Sequence, residues 1–229
     1  MTPTKLRLAV FDLDGTLVDS QHVIVGCMTE AFTGEGLDVP TPAQVRRIIG
    51  LPLEECMARL APQATAAGCA RLVEAYKTAF FACRQRPDHD EPLFEGAVAA
   101  IDALEGDGWL LGIATGKAMR GLRAVLERHG LDARFITLQT ADMNPGKPDP
   151  TMLRKAMAET GVDAPDTVMI GDTSYDMLMA KSAGVHAIGV GWGNHPVDEL
   201  RATGAHSLIS TYAELPAAML RCAGRQSCA

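Results

Sequence analysis

The sequence predicts an α/β protein in which a doubly wound parallel sheet carries an inserted, purely helical segment. Two observations predict the sheet: short apolar runs recur along the chain, and amphipathic helical patterns separate most of them. A third observation predicts the insertion, because no convincing strand pattern occurs between Gln21 and His89. We therefore expect a core formed by residues 1–18 and 90–229 and a helical cap formed by residues 19–89. A long crossover packed on the core is the alternative, but this segment far exceeds a usual connection between a strand and a helix.

Six apolar runs are candidate strands, since near-continuous hydrophobicity suits strands that are covered on both faces. They are Leu8–Phe11, Leu110–Ala114, Phe135–Leu138, Val168–Ile170, Ala187–Val190 and the weaker Ser207–Ile209. Helical patterns lie on both sides of the second run. A further helix is expected to begin at the capping residue Asp149, with Pro150 in its first turn, and to stop at Gly161.

Composition excludes several classes of protein. The net charge of -7 would repel the phosphates of a nucleic acid, so we expect no nucleic-acid partner. The apolar run before Asp12 is too short for a signal peptide or a membrane span, which predicts a cytoplasmic protein with no membrane contact. The six cysteines form no C-x-x-C pair, and we interpret them as thiols and not as disulfides or zinc ligands, with Cys228 in a tail outside the fold.

Polar side chains follow the strands of the predicted sheet. In a parallel sheet, ligands gather beyond the carboxyl ends of the strands, so these side chains are expected to converge. The candidates are Asp12 and Asp14 after the first run, Thr115, Gly116 and Lys117 after the second, Lys147 before the helix at Asp149, and Asp172 and Asp176 after the fourth.

This set of residues suits phosphoryl transfer. Carboxylates can hold Mg²⁺, while a threonine hydroxyl and a lysine ammonium can bind phosphate oxygens. An aspartate can also attack phosphorus, which leaves the second acid of the Asp12–Asp14 pair to give and take protons. Each motif alone could be a turn or a helix cap. Together, each after its own strand, they favour a catalytic site.

Four stretches, "FDLDGT", "IATG", "GKPDP" and "GDTSYD", resemble the motif set of the haloacid dehalogenase superfamily. The order and spacing resemble its phosphoglycolate-phosphatase-like subfamily, in which a helical cap follows the first strand of a Rossmann-like core. The resemblance implies a Mg²⁺-dependent phosphatase, since dehalogenases of this fold lack an acid at the place of Asp14. It implies that Asp12 is the nucleophile and Asp14 the general acid/base. It implies that Thr115, Gly116 and Lys147 bind phosphate. The implied metal ligands are Asp12, the Asp14 carbonyl and Asp172, and Asp176 is implied to support the metal or Lys147.

The cap leaves the substrate open. Sugar-phosphate mutases of the subfamily usually carry a lysine and an arginine near a cap turn, where this chain has Ile49 and Leu53. The "GNG"-like turn of many phosphoglycolate phosphatases is replaced here by Gly50-Leu51-Pro52. Arg46 and Arg47 either reach a bound anion or lie on a solvated helix surface, and His22 either lines the cleft or is structural.

The sequence therefore predicts a phosphatase acting on a small phosphorylated metabolite, as a monomer or a homodimer. A phosphomutase or pyrophosphatase of the same superfamily is the first alternative. A non-catalytic binding protein on this fold is the second, and the presence of both Asp12 and Asp14 argues against it.

Overall fold

A six-stranded parallel sheet forms the centre of the computed structural model, which describes residues 5–224. The strand order is β3-β2-β1-β4-β5-β6, so the direction of winding reverses beside β1. Open α/β sheets bind ligands at this reversal. The strands are β1 (Arg7–Phe11), β2 (Trp109–Thr115), β3 (Thr137–Thr140), β4 (Thr167–Gly171), β5 (His186–Val190) and β6 (Ser207–Ile209).

The described chain contains ten α-helices. Four belong to the insertion: α1 (Gln21–Gly34), α2 (Pro42–Arg46), α3 (Leu53–Leu60) and α4 (Ala66–Arg84). The others are α5 (Ala97–Gly106), α6 (Met119–Arg128), α7 (Thr151–Thr160), α8 (Ser174–Ala183), α9 (Val197–Thr203) and α10 (Leu215–Gly224). Within residues 5–224, no helix combines the length and the hydropathy that crossing a membrane requires.

Both faces of the sheet are buried, and β1 shows why its sequence is apolar throughout. Successive side chains of a strand point to opposite faces. Ala9 and Phe11 join the hydrophobic cluster that includes residues of α5, α6 and α10, whereas Leu8 and Val10 join the cluster under α7, α8 and α9. Each face removes apolar area from water, which is the main favourable term in folding. The central strand therefore places whatever follows Phe11 at a rigid point.

The inserted helices have a hydrophobic core of their own. Met28 and Phe32 of α1, Met57 of α3 and Leu72 of α4 are almost completely buried in it. Two chain segments connect these helices to the core, and they pair with each other. The Asp19 amide donates to the Pro92 carbonyl at 2.8 Å. The predicted helical cap is confirmed in its fold class, while its boundaries at residues 18 and 89 remain a prediction.

Most predicted elements are present, with differences at their ends. The third strand begins two residues later than predicted, because the chain before it turns and Phe135 packs into the core ahead of the strand. The helix predicted at Asp149 starts at Thr151, and the Asp149 side chain accepts a hydrogen bond from its amide at 2.9 Å. Gly161 ends it in a left-handed conformation, as predicted. None of the cysteines among the described residues forms a disulfide, and Cys228 lies outside those residues.

Candidate active site

The carboxyl end of β1 presents two acids with different surroundings. Asp12 follows Phe11 directly and is buried, and its amide donates to the Ile170 carbonyl of β4 at 2.9 Å. Asp14 lies in the turn beyond it, and its Oδ1 accepts from the Ser20 hydroxyl at 2.6 Å. One acid is thus locked into the sheet, and the other lies where the chain leaves for the cap.

A buried ammonium joins two of the predicted site residues. Lys147 Nζ lies 2.8 Å from Asp12 Oδ1 and 2.6 Å from Asp176 Oδ1, and all three side chains are shielded from solvent. Burial lowers the pKa of the lysine, but the charges of Asp12 and Asp176 outweigh that effect and raise it above its usual value. Lys147 is therefore cationic.

The local sequence "GDTSYD" explains the position of Asp176. Thr173 caps α8, and Asp176 is the third residue of that helix, so their side chains and backbone amides form a capping box. Asp176 Oδ2 accepts from the amide and hydroxyl of Thr173 at 3.0 and 2.7 Å. This use of one oxygen leaves Oδ1 for Lys147, so the helix cap and the ion pair share one carboxylate.

Asp172 is held by residues that the sequence reasoning missed. Its Oδ1 accepts from the Thr16 hydroxyl at 2.8 Å. Its Oδ2 accepts from the amide and the side chain of Asn194 at 2.8 and 2.9 Å. Thr16 belongs to the first motif. Asn194 lies just after β5, so its position beyond the end of a strand was the signal for it in the sequence.

The three buried acids fit a divalent cation. Oxygens of Asp12, Asp172 and Asp176 lie within 4.8 Å of one another. Among the described residues, Asp12 Oδ2 has no hydrogen-bond partner. An unpartnered carboxylate oxygen in a buried site is costly, and a bound cation would satisfy it. The donor set, all oxygen, is the one that hard divalent cations prefer.

Electrostatics point the same way. Burial raises the pKa of Asp12 well above its usual range, with Lys147 opposing the shift and the neighbouring acids adding to it. Burial, together with Asp176, raises the pKa of Asp172 to about 6. The ionised forms of these acids are thus poorly stabilised by the protein alone.

A cavity of about 840 Å³ opens above Asp12 and Asp14, between the core and the cap. On the core side, Thr115 and Gly116 at the end of β2 line it, whereas Lys147 lies behind Asp12. Apolar residues dominate its cap side: Ile24, Met28, Ile49, Leu51, Leu53, Tyr76 and Phe80. Four cationic residues, Lys77, Arg84, Lys117 and Arg120, also line it. Of the sequence-predicted residues, Asp12, Asp14, Thr115, Gly116 and Lys117 line the cavity, whereas Lys147, Asp172 and Asp176 do not.

The cap residues named from sequence divide between the cavity and the surface. Ile49 and Leu53 line the cavity, as the position of the cap turn suggested. Arg46 and Arg47 do not line it, and Arg47 instead pairs with Glu199 of α9 at 2.5 Å, which joins the cap to the core. His22 is exposed and lies away from the cavity wall.

The cap turn touches the core through backbone atoms. A Cβ atom placed on Gly116 would lie 2.6 Å from the Gly50 carbonyl oxygen and 2.8 Å from that of Leu51. Nearby, the Tyr175 hydroxyl donates to the Arg47 carbonyl at 2.9 Å. Gly116 is therefore required by the close approach of the cap.

Comparison with known proteins agrees with this geometry. Residues 9–190 match the family model described as haloacid dehalogenase-like hydrolase. The chain is 38% identical, over 91% of each chain, to "probable phosphatase IndB" of Dickeya dadantii. It is 32% identical to a phosphoglycolate phosphatase of Rhodospirillum rubrum, over 91% of this chain and 89% of the relative. A hydrolase structure from Pseudomonas syringae superposes with a TM-score of 0.83 at 26% identity, covering 94% of this chain and 98% of that one.

The fold and the acid-rich site define a hydrolase of the phosphatase class. The chain belongs to the haloacid dehalogenase-like hydrolase family.

The Gly116 contact gives a test of the cap position. Gly116→Ala forces the backbone of the cap turn away from the core, so we expect kcat/KM to fall at least about tenfold, since small misplacements of a site cost this much. Circular dichroism should show a folded variant with a lower Tm, because the added Cβ overlaps backbone carbonyls of the cap turn. Gly26→Ala is the matched control: an added Cβ in α1 meets no atom within 4 Å, so activity should be retained. Wild-type kcat/KM in Gly116→Ala would contradict the argument.

Proposed function

We propose that this phosphatase hydrolyses a small phosphomonoester through an aspartyl-phosphate on Asp12, with Mg²⁺ as its cofactor. The observation that carries the proposal is the Asp12 carboxylate, which is buried at the end of β1 with Oδ1 against Lys147 and Oδ2 without a hydrogen-bond partner among the described residues. It also lines the cavity together with Asp14.

The proposed reaction has two displacements at phosphorus. In the first, an oxygen of Asp12 forms a bond to phosphorus, the bond to the leaving oxygen breaks, and Asp14 gives that oxygen a proton. In the second, water attacks phosphorus and gives a proton to Asp14, which releases phosphate and restores Asp12. The Thr115 hydroxyl, the Gly116 amide and the Lys147 ammonium would hold the phosphoryl oxygens.

The proposed metal site consists of Asp12, Asp172 and the Asp14 carbonyl, with Asp176 holding Lys147 and adding negative charge. When bound, Mg²⁺ supplies positive charge beside the phosphoryl oxygens and the nucleophile. Asp172 is already oriented by Thr16 and Asn194, which is typical of a metal-binding carboxylate.

The cavity supports a leaving group with an apolar surface. Its cap wall is mostly aliphatic and aromatic, and the positions that carry cations in sugar-phosphate mutases are Ile49 and Leu53 here. Hydrolysis is therefore the proposed outcome. One observation favours the mutase alternative: Arg84 of α4 is half-buried in the cavity wall, where it could hold a second anionic group of a substrate.

Asp12→Asn tests the proposed nucleophile. An amide cannot attack phosphorus, so kcat should fall at least about a thousandfold. The measurement is phosphate release from p-nitrophenyl phosphate, with circular dichroism to verify that the variant is folded. Asp19→Asn, an exposed acid in the same loop, is the control and should retain activity. Normal turnover by folded Asp12→Asn would exclude this residue as the nucleophile.

Mg²⁺ binding can be measured without turnover. Because folding raises the pKa of Asp12 and Asp172, the metal-free folded chain holds protons that the unfolded chain releases, and it loses stability as pH rises from about 4 through 6. For Asp172 this loss is about 3 kcal/mol at neutral pH. Saturating Mg²⁺ should therefore raise Tm by several degrees at pH 7.5 and by clearly less at pH 5, where protons compete for the same oxygens. Equal shifts at both pH values would argue against a site at these acids.

A product analysis separates phosphatase from mutase. Glucose 1-phosphate is supplied with a trace of glucose bisphosphate, and both free phosphate and isomerised sugar phosphate are followed. We expect phosphate without isomer, because Ile49 and Leu53 offer no charge to hold a sugar phosphate while water is excluded. Efficient isomerisation with little phosphate would instead establish a mutase, and its loss in Arg84→Met would identify the cap residue responsible.

A further inference from the structure

Lys117 lies between two carboxylates, and only one of them faces the cavity. Its Nζ is 2.9 Å and 3.2 Å from the two carboxylate oxygens of Asp14. The same Nζ is 3.6 Å from Glu91 Oε1. Asp14 and Lys117 line the cavity, but Glu91 does not. The chemistry proposed above uses Asp14 and gives no reason for the buried glutamate behind it.

Glu91 is held rigidly. Its side chain is 2% exposed, and its Oε2 lies 3.0 Å from Nε2 of His89, which is equally buried. The Glu91 carbonyl is 2.8 Å from His129 Nε2, and the Arg128 guanidinium donates to the His89 carbonyl at 2.5 Å. The carboxylate is thereby fixed to the end of α6. It is a fixed point against which a flexible side chain can be aligned.

Lys117 needs such a fixed point. A lysine has four rotatable bonds and presents a compact charge, so a single contact leaves its ammonium free to move. Here Asp14, Glu91 and the face of the Phe80 ring, 4.9 Å away, surround the ammonium on three sides. Burial lowers the pKa of Lys117, but Asp14 and Glu91 outweigh that effect, so the group stays charged.

We propose that Glu91 is a positioning residue that aligns Asp14 for proton transfer by fixing the ammonium of Lys117. This inference rests on the proposed role of Asp14 as proton donor. Burying a glutamate is expensive, and a buried ion pair adds little net stability compared with apolar packing. The proposed alignment of Asp14 would explain why the chain buries Glu91 despite this cost in free energy.

The two connections between core and cap both contribute to this alignment. Ser20, at the start of α1, donates to Asp14 from the first connection, and Glu91 lies in the second. The connections are joined by the Asp19 amide and the Pro92 carbonyl. Asp14 is therefore oriented from both sides by the segments that carry the cap.

The test uses two substrates of similar size that differ in their need for a proton. p-Nitrophenolate leaves phosphorus as a stable anion, whereas the alkoxide of benzyl phosphate must be protonated as it leaves. The ratio kcat/KM reports only the steps up to departure of this group. In Glu91→Gln we expect kcat/KM for benzyl phosphate to fall at least about tenfold, as for loss of an aligned acid, and for p-nitrophenyl phosphate less than about twofold.

Three further variants and a matched control complete the design. Lys117→Met should show the same selective loss, and Lys117→Arg should restore part of it; this pair serves if Glu91→Gln does not fold. Glu95→Gln, an exposed acid in the same segment, should match wild type. Asp14→Asn should show the selective loss most strongly.

The outcomes distinguish the inference from the proposed function. If Asp14→Asn is selective but Glu91→Gln and Lys117→Met lower both substrates equally or not at all, Glu91 does not position the acid. If Asp14→Asn itself shows no selectivity, the proton-donor role fails and the inference fails with it. Selective loss in all three variants supports both.

Discussion

The structure depends on one buried ammonium between two carboxylates. Lys147 comes from the loop before α7, Asp12 from the end of β1 and Asp176 from the first turn of α8, so their ion pairs join three separate elements at the reversal of the sheet. None of the three charges could be buried alone, because an unpaired charge in an apolar interior is very costly. These ion pairs are what allow the Asp12 carboxylate, the proposed nucleophile, to be buried at the end of β1.

The remainder of the molecule packs around that arrangement in two parts, the core below it and the cap above it. Below the site, both faces of the sheet are covered by helices, so the ends of β1 and β4 cannot shift independently. Above it, the cap has a separate core and is attached through two short segments that pair with each other. The acids therefore lie on the rigid core. The proposed selection of the leaving group falls to the cap, which packs as a separate layer.

Local patterns in the sequence were sufficient for the sheet, the helical insertion and the position of the acids after their strands. Runs such as Val168–Ile170 are buried on both faces, and their apolar character is strong enough to read directly. The third strand was displaced because Thr137–Thr140 is polar, although it is buried for most of its length. Lys117 was a candidate without a predicted role and Glu91 was missed, because their contacts with each other and with Asp14 depend on packing between distant segments, which periodicity does not record.

The contact between Gly116 and the carbonyls of Gly50 and Leu51 involves only main-chain atoms on the cap side. In the same turn the Pro52 ring packs against Gly146 of the core, where an added Cβ would lie 2.0 Å from Pro52 Cγ. Ile49 and Leu53, which flank the contact, face the cavity. The turn is therefore seated by main-chain atoms and one proline ring, while neighbouring side chains shape the cavity wall.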